Sequence, residues 1–277
     1  MAQGKKQARA DAQRAAREAA RQEVERLKAA QAAKERRTRI IGVAIGLVIV
    51  IAAAVVVILV QQSTSGSGST GPRPLGANDA GAIVLGQDLQ PGGAPAAGGD
   101  AVVIRIYADY LCPNCAEVER RLSASLENLA SAGEITLEIQ AVDFLARLSN
   151  GTEYPRRAAN VAATIANYSP EHFLAFHSKL YEEGVQPDEG SDGLTDQRLV
   201  ELAQEVGVPA SVTDRFAASE FAEWVEYATA QAVADGVGGT PGIKMGASDS
   251  KLTLVNNPYT LNPDTAIARI RDGQSPD

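Results

Sequence analysis

Cys112 and Cys115 are the only cysteines in the 277 residues, and they sit together in Cys112-Pro113-Asn114-Cys115. The run before them, Ala101-Val102-Val103-Ile104-Arg105-Ile106-Tyr107, is short, β-branched and apolar, which predicts a buried strand. The run after them, Ala116 to Ala130, places Val118, Leu122, Leu126 and Leu129 at helical spacing. The pair therefore falls on the turn that opens a helix behind a strand. That arrangement fits redox chemistry.

The physical reason lies in the helix end. A thiol at a helix N-terminus meets unpaired backbone N–H groups and the positive end of the macrodipole. Both favour the thiolate, the reactive form. Pro113 suits the first turn, where its missing N–H is no loss. Cys112 is expected to be the exposed, low-pKa nucleophile, with Cys115 more buried and resolving the mixed disulfide. Two other readings are open to such a pair. A structural disulfide across two residues closes a very small loop and stabilises little. A metal site needs two more ligands, and the two histidines, His172 and His177, point about 140° apart on one helix. They read as ordinary surface or half-buried positions, and no metal is expected.

The charge is split along the chain. Residues 1–39 carry 12 Lys and Arg against 5 Asp and Glu, and the remainder carries 14 against 29. A basic arm ahead of an acidic body argues against nucleic-acid binding by the body. The arm is Ala-, Arg- and Glu-rich with few large apolar residues, so it reads as a solvated basic cytoplasmic tail. Ile40 to Val60 holds no charge. As a helix it would span about 31 Å, the thickness of a bilayer core. Lys34, Arg36, Arg37 and Arg39 precede it, and the next charge is Arg73. The positive-inside rule then predicts a single-pass anchor with a cytoplasmic N-terminus and an extracytoplasmic body. A cleaved signal peptide fits less well, because the basic and apolar stretches are too long and no A-x-A site follows Val60. Residues 61–81 are rich in Ser, Gly and Thr and read as a flexible linker.

The body reads as one α/β domain over residues 82–277. Ala82 to Gly86 is a short edge strand, and Glu134 to Val142 alternates as a further strand. Helices follow over Tyr154–Ala166, from Ser169-Pro170 to a stop at Gly184, over Thr195–Val206, and over Phe221–Ala234. Gly242–Met245 and Lys251–Val255 make a hairpin, and Asn262-Pro263-Asp264 caps a last helix.

Tyr107-Ala108-Asp109-Tyr110-Leu111-Cys112-Pro113-Asn114-Cys115 resembles the active site of the DsbA family of thioredoxin-fold proteins, which often reads aromatic-x-Asp-aromatic-x-Cys-Pro-x-Cys. Gly236-Val237-Gly238-Gly239-Thr240-Pro241 is similar to that family's cis-proline loop, and Phe173 to Tyr181 to part of its helical insertion. The resemblance covers about residues 82–272. It implies a thioredoxin-like fold with a helical insertion at about residues 152–235. It also implies a bacterial extracytoplasmic thiol:disulfide oxidoreductase that forms disulfides in exported proteins. Cys112 and Cys115 would be catalytic, with Pro113 and Asn114 tuning the potential and Thr240 and Pro241 holding an extended substrate. The redox-active disulfide would serve without a further cofactor. A quinone-linked membrane oxidase would reoxidise it. The same fold also serves reductases or isomerases, for example in cytochrome maturation, and non-catalytic binding or chaperone domains; the intact cysteines argue against the last. Where other members keep a buried acid six residues before the first cysteine, this chain has Ile106. Asp109 and Glu117 are the nearby acids able to relay a proton for Cys115.

Overall fold

A computed structural model describes residues 71–94 and 101–277. The tail 1–39, the apolar run 40–60 and the first part of the linker lie outside the described residues. Among the described residues, no helix is long and apolar enough to cross a membrane.

Strand β1 is Ile83–Val84, β2 is Val102–Ala108, β3 is Ile135–Ala141, β4 is Gly242–Gly246 and β5 is Thr253–Leu254. Their order in the sheet is β1-β3-β2-β4-β5. Strand β2 is central, parallel to β3 with Ile104 opposite Leu137, and antiparallel to β4 with Ile106 opposite Ile243. A central strand covered on both faces must be apolar throughout, which is what the continuous β-branched run supplies. Helix α1, Pro113–Ser131, returns the chain from β2 to β3. Its Val118 and Leu122 line a small void together with Ile106 and Ala108 of the sheet. Tyr107, one residue out of phase, points to the other face and packs with Val142, Ala232 and Val237.

The helical insertion comprises α2 (Tyr154–Tyr168), α3 (Phe173–Lys179), α4 (Asp196–Glu205), the short α5 (Ala210–Thr213) and α6 (Ala222–Ala234). Helix α2 is its axis. Ala158, Ala159, Ala162, Ala163 and Ala166 are all buried, and small side chains let the surrounding helices approach closely. Thr195 caps α4 by accepting from the Arg198 N–H at 3.1 Å. Asn262 caps the last helix, α7 (Pro263–Arg271), by accepting from the Thr265 N–H at 3.0 Å.

Two differences from the sequence reading have plain causes. The helix expected to run to Gly184 begins as a 3-10 turn, Pro170–His172, and ends at Lys179. Leu180 and Tyr181 turn into the core, and the Tyr181 carbonyl accepts from Arg120 Nη1 at 2.8 Å instead of continuing the helical ladder. Residues 71–81, expected as linker, lie against the domain. Asn78 Oδ1 accepts from the N–H groups of Ala80 and Ala82, and the Leu75 N–H donates to Asn167 Oδ1 at 3.0 Å. Gly81 has φ +84, and a Cβ there would stand 2.6 Å from Ala228 Cα. The glycine marks a close approach to α6 as well as a turn.

Candidate active site

Cys112 is the N-cap of α1, with extended φ and ψ, and Pro113 occupies the first helical position. The Cys115 N–H points at Cys112 Sγ from 3.4 Å. This is the orphan donor that a cap must satisfy. Both thiols are free. The Asp109 carbonyl accepts from the Cys112 N–H at 3.0 Å, tightening the turn between β2 and α1. From the helical insertion, Gln186 Nε2 donates to the Cys112 carbonyl at 2.7 Å.

The loop before β4 closes over the pair. The Thr240–Pro241 bond is cis, and Cys112 Sγ lies 3.4 Å from the Thr240 carbonyl. The loop hangs from a fixed base. Asp235, just past the end of α6, accepts from Tyr107 Oη at 3.1 Å and lies 3.5 Å from Arg105 Nη1, while Lys244 Nζ donates to its carbonyl at 2.7 Å. Arg105 itself is buried in β2 and pairs across the sheet with Glu138 at 2.6 Å and with Asp249. A buried ion pair of this kind contributes geometry more than net stability.

The two thiols have opposite electrostatics. A hydrogen bond from the Cys115 side chain is the largest influence on Cys112, with further help from Thr240 and the N–H groups of Cys115 and Asn114. Against the opposing effect of burial, they take Cys112 from an ordinary 9.0 to about 6. Burial, and then the neighbouring Cys112, push Cys115 well above its ordinary value. Expected as the exposed nucleophile, Cys112 is only 3 % exposed. The wall of the Thr240–Pro241 loop covers it. Pro113 and Asn114 are the exposed members of the motif.

Asp109 is fully buried; its Oδ1 accepts from the Leu111 N–H at 2.9 Å and its Oδ2 from the Leu145 N–H at 2.8 Å. Burial outweighs these two bonds and raises its carboxyl from 3.8 to about 7. Glu117 lies on the exposed face of α1, and no described contact joins it to either thiol. Ile106, in place of an acid, lines a small void beside Cys115.

Sequence reasoning missed two residues. His177, read as a surface or half-buried position, is fully buried, with Nδ1 2.9 Å from Tyr110 Oη and Nε2 3.5 Å from Glu119 Oε2. Glu119 is 8 % exposed and accepts from Ser178 Oγ at 2.8 Å. The available signal was spacing: Cys115, Glu119 and Leu122 fall on one face of α1.

A family model described as thioredoxin matches residues 93–253. The chain belongs to this family, as a DsbA-like thiol:disulfide oxidoreductase. Its fold is similar to that of oxidised DsbA from Mycobacterium tuberculosis, at 27 % identity and a TM-score of 0.54, covering 69 % of this chain and 92 % of that one. Reduced DsbG from the same organism is 29 % identical with a TM-score of 0.51, over 61 % and 77 %. BdbD from Bacillus subtilis shares the fold at 19 % identity and a TM-score of 0.56, over 75 % and 100 %. No curated protein matches the chain by sequence. In this DsbA-like enzyme the reacting bond is formed and broken between Cys112 and Cys115.

Proposed function

We propose that this DsbA-like enzyme is a disulfide donor to exported proteins, tethered to the membrane by residues 40–60 with its catalytic domain outside the cytoplasm. The observation that carries the direction is the stabilised Cys112 thiolate. An oxidant is a site whose reduced form is favoured, and a low pKa favours that form. Moving a thiol from 9.0 to about 6 favours the reduced state at pH 7 by about 1.4 kcal/mol. That corresponds to about 30 mV toward oxidising.

A substrate thiolate attacks Cys112 Sγ of the Cys112–Cys115 disulfide. The bond between the two cysteines breaks, and Cys115 leaves with the electron pair and takes a proton. A second substrate thiolate then attacks the substrate sulfur of the mixed disulfide, releasing Cys112 as its stabilised thiolate. Thr240 and Pro241 offer an extended substrate backbone a strand-like edge beside Cys112. Pro113 and Asn114 tune the potential from the exposed side. A quinone-linked membrane oxidase then regenerates the disulfide.

The test mixes oxidised full-length protein with a reduced, unfolded two-cysteine substrate. The substrate is expected to gain its disulfide at neutral pH, and Cys112→Ser to abolish the transfer. Net reduction of an oxidised substrate instead would overturn the direction. Because the chain has only two cysteines, an impermeant thiol reagent on mildly reduced intact cells tests the placement. Labelling is expected, and labelling only after lysis would overturn it.

A further inference from the structure

Cys115 has a proton problem that the motif does not solve. It is buried, and when the disulfide opens it receives a lone pair in apolar surroundings. The position beneath it is Ile106, which cannot donate. Asp109 has both carboxylate oxygens committed to the N–H groups of Leu111 and Leu145.

Another acid faces the same space. Cys115 and Glu119 are four residues apart on α1, so they share a face with Cβ atoms about 6 Å apart. Together with Ile106, Val118 and Tyr181 they line a void of about 10 Å³, at the lower limit of what holds one water molecule. Glu119 accepts from Ser178 Oγ, His177 Nε2 lies 3.5 Å from its Oε2, and His177 Nδ1 meets Tyr110 Oη. Tyr110 lies two residues before Cys112, so the chain of groups leads from behind Cys115 back to the strand end that carries the nucleophile.

We propose that the buried Glu119–His177 pair is the proton relay for Cys115, acting through the void that Cys115 and Glu119 share. The proposal rests on the thiol–disulfide exchange reading. When a substrate thiolate attacks Cys112, the Cys112–Cys115 bond breaks, the electron pair goes to Cys115 Sγ, and a proton passes to it from the pair. In the reverse step Cys115 returns that proton to the pair, attacks Cys112 Sγ of the mixed disulfide, and expels the substrate thiolate. Atoms and electrons balance in each direction.

The surroundings suit an ionisable pair. Burial pushes Glu119 up, but the neighbouring His177 and Ser178 bring it below its ordinary value. The other titratable groups facing the pair are Tyr110 and Asp109 from the turn before α1, Tyr181 after α3, and Glu127 further along α1. The phenols of Tyr110 and Tyr181 are raised well above their ordinary values, chiefly by burial, and stay neutral.

The test separates the two exchange steps. A Cys112 mixed disulfide with a small chromogenic thiol is formed on the full-length protein, and its resolution by Cys115 is followed across pH. Glu119→Gln and His177→Gln are each expected to slow resolution at neutral pH by about a hundredfold and to flatten its pH profile. The Cys112 thiolate titration and the first exchange step, in which the reduced Cys112 thiolate attacks the chromogenic disulfide before Cys115 acts, should be unchanged. Resolution at the wild-type rate, or an equal loss in both steps, overturns the relay. Wild-type protein that forms no mixed disulfide overturns the exchange reading itself. A solvent isotope effect in the wild type needs no variant: it is expected on resolution and not on the first step, and its absence from resolution also overturns the relay.

Discussion

Replacing Cys115 with alanine should raise the pKa of Cys112. The largest influence holding Cys112 near 6 is the hydrogen bond from the Cys115 side chain. A hydrogen bond to a charged group contributes about 1.5–3 kcal/mol, and a thiol donor stands at the weak end. At 1.36 kcal/mol per unit, its loss should raise the Cys112 pKa by about one unit, to about 7. The sign is fixed, since removing a donor to the thiolate disfavours the thiolate. The rise should stop there, because the N–H groups at positions 114 and 115 and the Thr240 side chain remain. At pH 7 the thiolate fraction would fall from about nine-tenths to about half. The assay is the ultraviolet absorbance of the thiolate against pH in reduced Cys115→Ala protein, with Cys112→Ala as the blank. An unchanged titration would refute the role given to Cys115. A rise to the ordinary value of 9.0 would refute the role given to the helix end.

Asp109 should make the reduced protein less stable as pH rises. Its folded pKa, about 7, lies above its unfolded 3.8. The stability is therefore whole below the unfolded value and is lost as pH rises through about 7, by up to about 4 kcal/mol. Denaturant unfolding of reduced Asp109→Asn should lack this contribution to the slope between pH 4 and 8, and equal slopes in the two reduced proteins would contradict the burial argument. Gly193→Ala should lower the melting temperature. Gly193 has φ +69, and a Cβ there would lie 2.1 Å from Tyr154 Cγ, so a loss of about 2–3 kcal/mol is expected; an unchanged melting temperature would contradict that contact.

The elements that build the reactive pair were legible because their signals are local. The β-branched run of β2, the helical spacing of α1 and the N-cap position of Cys112 each follow from a few neighbouring residues. The Thr240-Pro241 segment was legible only through family resemblance, since nothing local says which strand end it will face. What escaped was set by tertiary contact. His177 is an unremarkable position on a short helix until Tyr110 and Glu119 close around it. Arg105 interrupts an apolar strand, and its partners Glu138, Asp235 and Asp249 come from distant parts of the chain. The Gly- and Pro-containing segment before β1 has the composition of a linker, yet Asn78 and Gly81 use that composition to pack tightly on the domain. The exposure of Cys112 was also misjudged, because the loop that covers it arrives more than a hundred residues later in the chain.

The reduction potential of the Cys112–Cys115 pair in the full-length protein, equilibrated against glutathione, tests the donor assignment most directly. A disulfide donor should lie at or above the poise of an oxidising compartment, about −180 to −210 mV, and a value near thioredoxin's, about −270 mV, would contradict the assignment and make the site a reductant.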